Sequence, residues 1–126
     1  MTVHQTRVYF KTGCPHSMRL RIFLSEANLE NEVEMVTVES ASELDPALLA
    51  MAKQSQIPLT FPFSVQASND VELDSQVIIG RMTSEHNVDP HSLNLLRYYE
   101  DSMIPRFSKM FMELKRLKGA EWDGSL

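Results

Sequence analysis

Apolar and polar positions along the chain switch between two periods. Arg7-Val-Tyr-Phe10 is a short apolar run of strand type that leads directly into Lys11-Thr-Gly-Cys-Pro15. Pro15 suits the first position of a helix, where its missing N–H costs nothing. From Ser17 to Ala27, apolar residues at Met18, Leu20, Ile22, Phe23 and Leu24 predict a partly buried helix that Asn28-Leu-Glu-Asn31 ends. Val33-Glu-Met-Val-Thr-Val38 is β-branched and partly alternating, hence a strand. Pro46, just inside a Ser42-x-x-Asp45 start, supports a helix to about Gln54 with Leu44, Leu48, Leu49 and Met51 on one face. Ile57 to Val65 is extended, with Pro62 awkward for a central strand. Val71-Glu-Leu73 follows a turn at Ala67-Ser-Asn-Asp70, and Asp74-Ser75 caps a helix to about Met82 with Val77, Ile78 and Ile79 facing inward. Beyond a linker at Thr83–Pro90, Leu93, Leu96, Met103, Phe107, Met110, Leu114 and Leu117 keep helical spacing, interrupted at Glu100. Pro105 should bend this helix or break it in two.

The resulting order, β-α-β-α-β-β-α, is that of an α/β, thioredoxin-like domain. A first βαβ unit requires parallel strands, and the later hairpin adds antiparallel ones, giving a mixed four-stranded sheet. The expected organisation is one such domain over residues 1–85, followed over 86–126 by a linker, a long or bent C-terminal helix and a tail.

Composition narrows the class. An apolar fraction of 43% and a charged fraction of 23% describe a soluble globular chain. No apolar run approaches the ~20 residues of a membrane span, and the first residues lack the apolar stretch of a signal peptide. The expected setting is therefore cytoplasmic, with no membrane partner. The net charge of −5 argues against nucleic acid as the main partner. That charge is unevenly spread. Glu26 to Asp74 holds ten acidic residues against Lys53, whereas His91 to Lys118 holds six basic residues against three acidic ones. Two solvated faces explain this, as does a basic helix that docks on an acidic surface.

The single cysteine excludes an internal disulfide and a cysteine-based zinc site, and the four scattered histidines suggest no metal centre. Cys14 itself lies between a strand and a helix start. There it faces unsatisfied N–H groups and the positive end of the helix dipole, both of which favour the reactive thiolate. In Cys14-Pro-His-Ser17 a serine occupies the second-cysteine position of a C-x-x-C pair, so an oxidised Cys14 needs an external thiol to reduce it. His16 and Ser17 can donate to the sulfur from the first turn. Alternatively, Cys14 is a small buried hydrophobe and His16 a solvated first-turn residue.

Val8 to Leu29, with its Gly-Cys-Pro-His-Ser turn, resembles the start of a glutathione S-transferase N-terminal domain. The similarity is greatest to the cysteine-type classes: omega-like transferases, dehydroascorbate reductases and glutaredoxin-like proteins. Gln56-Ile57-Pro58 is similar to that family's Gln/Lys–apolar–cis-Pro element, and Asp74-Ser75 to its acidic–Ser pair at the third helix. The resemblance implies glutathione as cosubstrate, with Cys14 as nucleophile. Ile57 would pair with the cysteinyl backbone of glutathione, Gln56 would reach its backbone or glycyl end, and Asp74 and Ser75 would hold its γ-glutamyl end. It also implies a glutathione-dependent thiol transferase or reductase.

Two features depart from the family. The stretch from Ile57 to Asp74 is longer than the usual hairpin, and only about 36 residues follow the linker where the family has an all-helical second domain. A second-substrate site would then be shallow or supplied by another subunit. The C-terminal apolar stripe reads as packing against the sheet domain or as the interface of a homodimer through that helix. A catalytically inactive scaffold that binds a protein partner remains the alternative function.

Overall fold

The computed structural model describes residues 6–55, 61–66 and 71–122. The elements are β1 (Thr6–Lys11), α1 (Pro15–Glu26), β2 (Val33–Val38), α2 (Pro46–Ser55), β3 (Phe63–Val65), β4 (Val71–Leu73), α3 (Ser75–Glu85), α4 (Asn94–Tyr98) and α5 (Ile104–Lys118). The four strands form one sheet in the order β2-β1-β3-β4. β1 and β2 run parallel from Thr6↔Val33 to Lys11↔Val38, while β1–β3 and β3–β4 are antiparallel. This is the mixed sheet that the element order implies.

Strand alternation distributes the core over both faces. Val8 and Phe10 join Leu20, Phe23 and Leu24 of α1 and Ile78 and Met82 of α3, together with Leu93 and Leu96. Between them, Tyr9 points the other way, to Phe63, Val38 and Leu44, with Leu48 and Leu49 of α2 packed alongside. Tyr9 and Phe63 stack at 4.8 Å.

Several local expectations change. The helix expected over 42–54 is a 3₁₀ turn, Ala41–Glu43, followed by α2. The reciprocal capping box is Ser40 with Glu43, not Ser42 with Asp45, and Asp45 instead accepts the Ala47 amide at 2.8 Å. Pro62 is not inside a strand: β3 begins at Phe63, directly after a cis Phe61–Pro62 bond. α3 runs on to Glu85, so the linker is shorter than expected, and Val77 faces solvent while Ile78 is buried.

The C-terminal helix is continuous but not uniform. A π turn, Tyr99–Met103, joins α4 to α5, and the Ile104 amide bonds back to the Tyr99 carbonyl. Pro105 explains the need for it: its ring crowds the carbonyl four residues earlier and it has no N–H to give, so a widened turn accommodates it without breaking the helix. Leu93, Leu96 and Tyr99 are buried, whereas α5 buries no residue. The expected packing of the whole stripe on the sheet domain thus holds only for its first turns.

Candidate functional site

The strand-to-helix turn is built by backbone closure. Gly13 takes φ +78°, a left-handed conformation that a side chain would strain, and the Cys14 amide bonds the Lys11 carbonyl at 3.2 Å. Cys14 is then extended as the N-cap of α1, Pro15 starts the helix, and the Cys14 carbonyl accepts the Met18 amide at 3.0 Å. The half-buried thiol is free, and its Sγ lies 3.7 Å from the Phe61 carbonyl, directing S–H toward the residue before Pro62. The sulfur and the backbone of the residue before the cis proline therefore face each other.

The residues flanking Cys14 divide. Ser17 is buried, and its Oγ accepts the Lys11 amide at 3.0 Å, so it holds the end of β1 to α1. His16 is exposed. Gln56, Ile57 and Pro58 lie outside the described residues. Asp74 caps α3, its carboxylate accepting the Gln76 amide at 2.8 Å, with a backbone φ of +81°. Ser75 is only 1% exposed, and its hydroxyl accepts from Arg19 Nη1 at 3.2 Å.

Arg19 is the main residue that pattern reading passed over. It is 8% exposed within α1, bonds Ser75 of α3 and places Nε 3.3 Å from Glu100 Oε2 in the π turn. Glu100 is the residue that interrupts the C-terminal stripe. Arg19 between the apolar Met18 and Leu20, and Glu100 within the C-terminal stripe, were the available signal, because buried charges need partners. Next to it, the Tyr99 hydroxyl donates to the Pro15 carbonyl at 2.7 Å. Burial raises the Tyr99 phenol above its usual range; Arg19 opposes this and charge on Cys14 adds to it. Glu26, at the far end of α1, accepts the Leu95 and Leu96 amides at 2.8 and 2.9 Å and so caps α4. α1 and the start of the C-terminal helix are thus clasped at both ends and in the middle.

Beside the Cys14 turn lies an open groove of about 360 Å³. Pro15 and His16 form one wall, and Ile104, Phe107, Phe111 and Met112 form the other. Phe107 leans on Tyr99 at 6.0 Å, and Trp122 packs on Phe111 at 5.2 Å. Apolar contacts would dominate binding there.

The mixed four-stranded sheet with helices on both faces and the long C-terminal helix make a thioredoxin-like fold of the kind found in glutathione transferases. Solved structures share it. The chain is similar to glutathione transferase Omega 2C from Trametes versicolor, at 15% identity and a TM-score of 0.58, covering 94% of this chain and 56% of that one. It is also similar to the Tau class glutathione S-transferase MiGSTU from mango, Mangifera indica, at 15% identity and a TM-score of 0.51, covering 80% and 48%. The chain spans about half the length of these structures. No protein-family model matches it, and neither does any curated protein. Among the described residues, no helix is long and apolar enough to cross a membrane.

Proposed function

We propose that the protein is a glutathione-dependent thiol transferase or reductase with Cys14 as its only sulfur nucleophile. One observation carries this: the Cys14 sulfur, at the N-terminus of α1, lies 3.7 Å from the carbonyl of Phe61, the residue before Pro62. An extended cysteinyl backbone laid along Phe61 as an added strand would bring its own sulfur to Cys14. In this reading Phe61 serves the backbone-pairing role for which the sequence resemblance named Ile57, a residue outside the described ones. Asp74 is exposed at the start of α3 and suits the ammonium of a γ-glutamyl group. Gln56 would reach the backbone or the glycyl end.

The Cys14 thiolate attacks the glutathione sulfur of a mixed disulfide. Cys14 becomes glutathionylated and the other half leaves as a thiolate. A second glutathione thiolate then attacks that new disulfide, releasing oxidised glutathione and the Cys14 thiolate. No second protein cysteine is needed, in keeping with Ser17 in its place. Reduced glutathione and a free thiol suit a reducing compartment such as the cytoplasm. The groove along α5 would receive the leaving half of an apolar substrate.

One feature favours the second reading, a scaffold on this fold that binds a protein partner: the Ser75 hydroxyl is buried and already taken by Arg19. The discriminating experiment is incubation with oxidised glutathione followed by intact mass measurement. Addition of one glutathionyl group, reversed by reduced glutathione and lost in Cys14→Ser, is the expected result. An unmodified thiol that also fails to bind glutathione resin supports the scaffold and rejects the enzyme.

A further inference from the structure

The long C-terminal helix, α4 through α5, has two apolar sides with different neighbours. One faces the domain. Leu93, Leu96 and Tyr99 are buried there, and beyond the π turn the exposed Phe111 and Met112 continue it along the groove beside Cys14. The other side is turned away from the domain and carries Leu95, Tyr98, Met110 and Leu117, each more than half exposed. Within each pair the spacing of three or seven residues is a normal helical repeat. Tyr98 and Met110 are twelve apart, where three plain α-turns take about 10.8 residues, and the wider π turn between them takes up the difference. All four residues therefore share one strip, about 33 Å long. Phe111 and Met112 follow Met110 by about 100° and 200° of rotation, which takes them off it.

Charge selects the occupant. α5 holds Arg106, Lys109, Lys115, Arg116 and Lys118 against Glu113, a net of +4, and Glu113 is paired with Arg116. Arg106 lies one turn before Met110 and Lys118 directly after Leu117, so cations edge the α5 part of the strip at both ends. Their long stems can lie along apolar surface while the charged heads reach beyond it. An apolar side between Lys and Arg is the composition of a helix that lies in the plane of a bilayer, with cations at the headgroups. Since the other side of the helix borders the domain, no partner can wrap it, whereas a flat surface needs only the strip. In a chain of −5, the +4 of α5 leaves −9 elsewhere. An anionic surface would thus attract this helix and hold the body outward. Such a helix lies on a membrane and does not cross it; no described helix is apolar enough to span one.

We infer that the C-terminal helix docks this protein on anionic lipid bilayers through Leu95, Tyr98, Met110 and Leu117. The docking does not depend on the glutathione chemistry, since none of the four lines the groove beside Cys14. The test is flotation of the full chain with phosphatidylcholine vesicles containing about 30% phosphatidylserine. The parent should float with these and not with phosphatidylcholine alone. Met110→Glu/Leu117→Glu and Arg106→Glu/Lys118→Glu should each lower the bound fraction at least ~10-fold, with parental circular dichroism and Cys14 alkylation rates. Salt at about 1 M should weaken binding of the parent several-fold. To locate the face, Cys14→Ser chains carrying Met110→Cys, Leu117→Cys or Met112→Cys are labelled with an environment-sensitive dye. On vesicles, emission should shift to the blue at 110 and 117 and stay that of water at 112. A parent that does not float, or that binds equally without phosphatidylserine, overturns the inference. So does a dye at 112 that shifts as far as one at 117. A non-floating chain that sediments as a dimer also overturns it, and assigns the strip to a protein contact.

Discussion

The Tyr99 hydroxyl donates to the Pro15 carbonyl at 2.7 Å, across 84 residues of chain. One side chain of the C-terminal helix is thus anchored to the residue immediately after the candidate nucleophile. Tyr99→Phe keeps the ring against Phe107 and removes only that bond. It should cost about 1 kcal/mol in urea unfolding. If the bond positions Cys14, the rate of glutathionylation should also fall, with the alkylation rate in urea-unfolded protein unchanged.

The same phenol sets an alkaline limit. Burial raises its titration above that of ordinary tyrosine, so the protonated form is favoured by folding. That contribution is complete below the usual tyrosine range near pH ~10 and is lost as pH rises toward the raised folded value. Absorbance titration should show one late-ionising tyrosine, and unfolding at high pH should be less steep in Tyr99→Phe.

Arg19 joins three elements, so its partners are unequal. Glu100→Ala leaves a buried guanidinium without its carboxylate and should cost about 2–3 kcal/mol. Ser75→Ala removes one neutral partner and should cost about 1 kcal/mol. A double-mutant cycle between Arg19→Met and Glu100→Gln should give a coupling energy clearly above zero, measured by chemical denaturation.

Glu26→Ala should remove the cap from α4 and cost roughly 1–2 kcal/mol. Amide exchange should quicken at Leu95 and Leu96 before it does in the sheet. Exchange unchanged at both amides would mean that the carboxylate is dispensable there.

Asp74 combines a cap with a φ of +81°. Asp74→Gly loses the cap but relieves the backbone, a net cost of about 1 kcal/mol; Asp74→Ala loses the cap and keeps a β-carbon at positive φ, costing about 2 kcal/mol. The order of the two thermal midpoints checks this.

Much of the domain was legible because its signals are local. The β-branched run at Val33–Val38, Pro15 after the Cys14 turn, and Asp74 before an apolar run each lie within a few residues of what they specify. The place of Pro62, read from the sequence only as awkward for a central strand, has the opposite character. A proline after an aromatic residue looks the same in sequence whether it interrupts a strand or precedes one, and its place became clear only when β3 paired with β1 from Phe63 onward. The stripe at 93–117 likewise has one period but two environments, since Leu93 and Leu96 reach the core while α5 extends past it.

What the chain determines by itself is the order of strands and helices and the turn that presents Cys14, because periodicity, glycine at positive φ and helix caps act over single turns. Tertiary structure alone decides that Arg19 meets Ser75 and Glu100, that Glu26 caps a helix 69 and 70 residues away, and that Phe61 faces the sulfur. These contacts form only when the sheet stacks α1 beside α3 and α4. Charged groups with no partner nearby in sequence then find one, as burial requires.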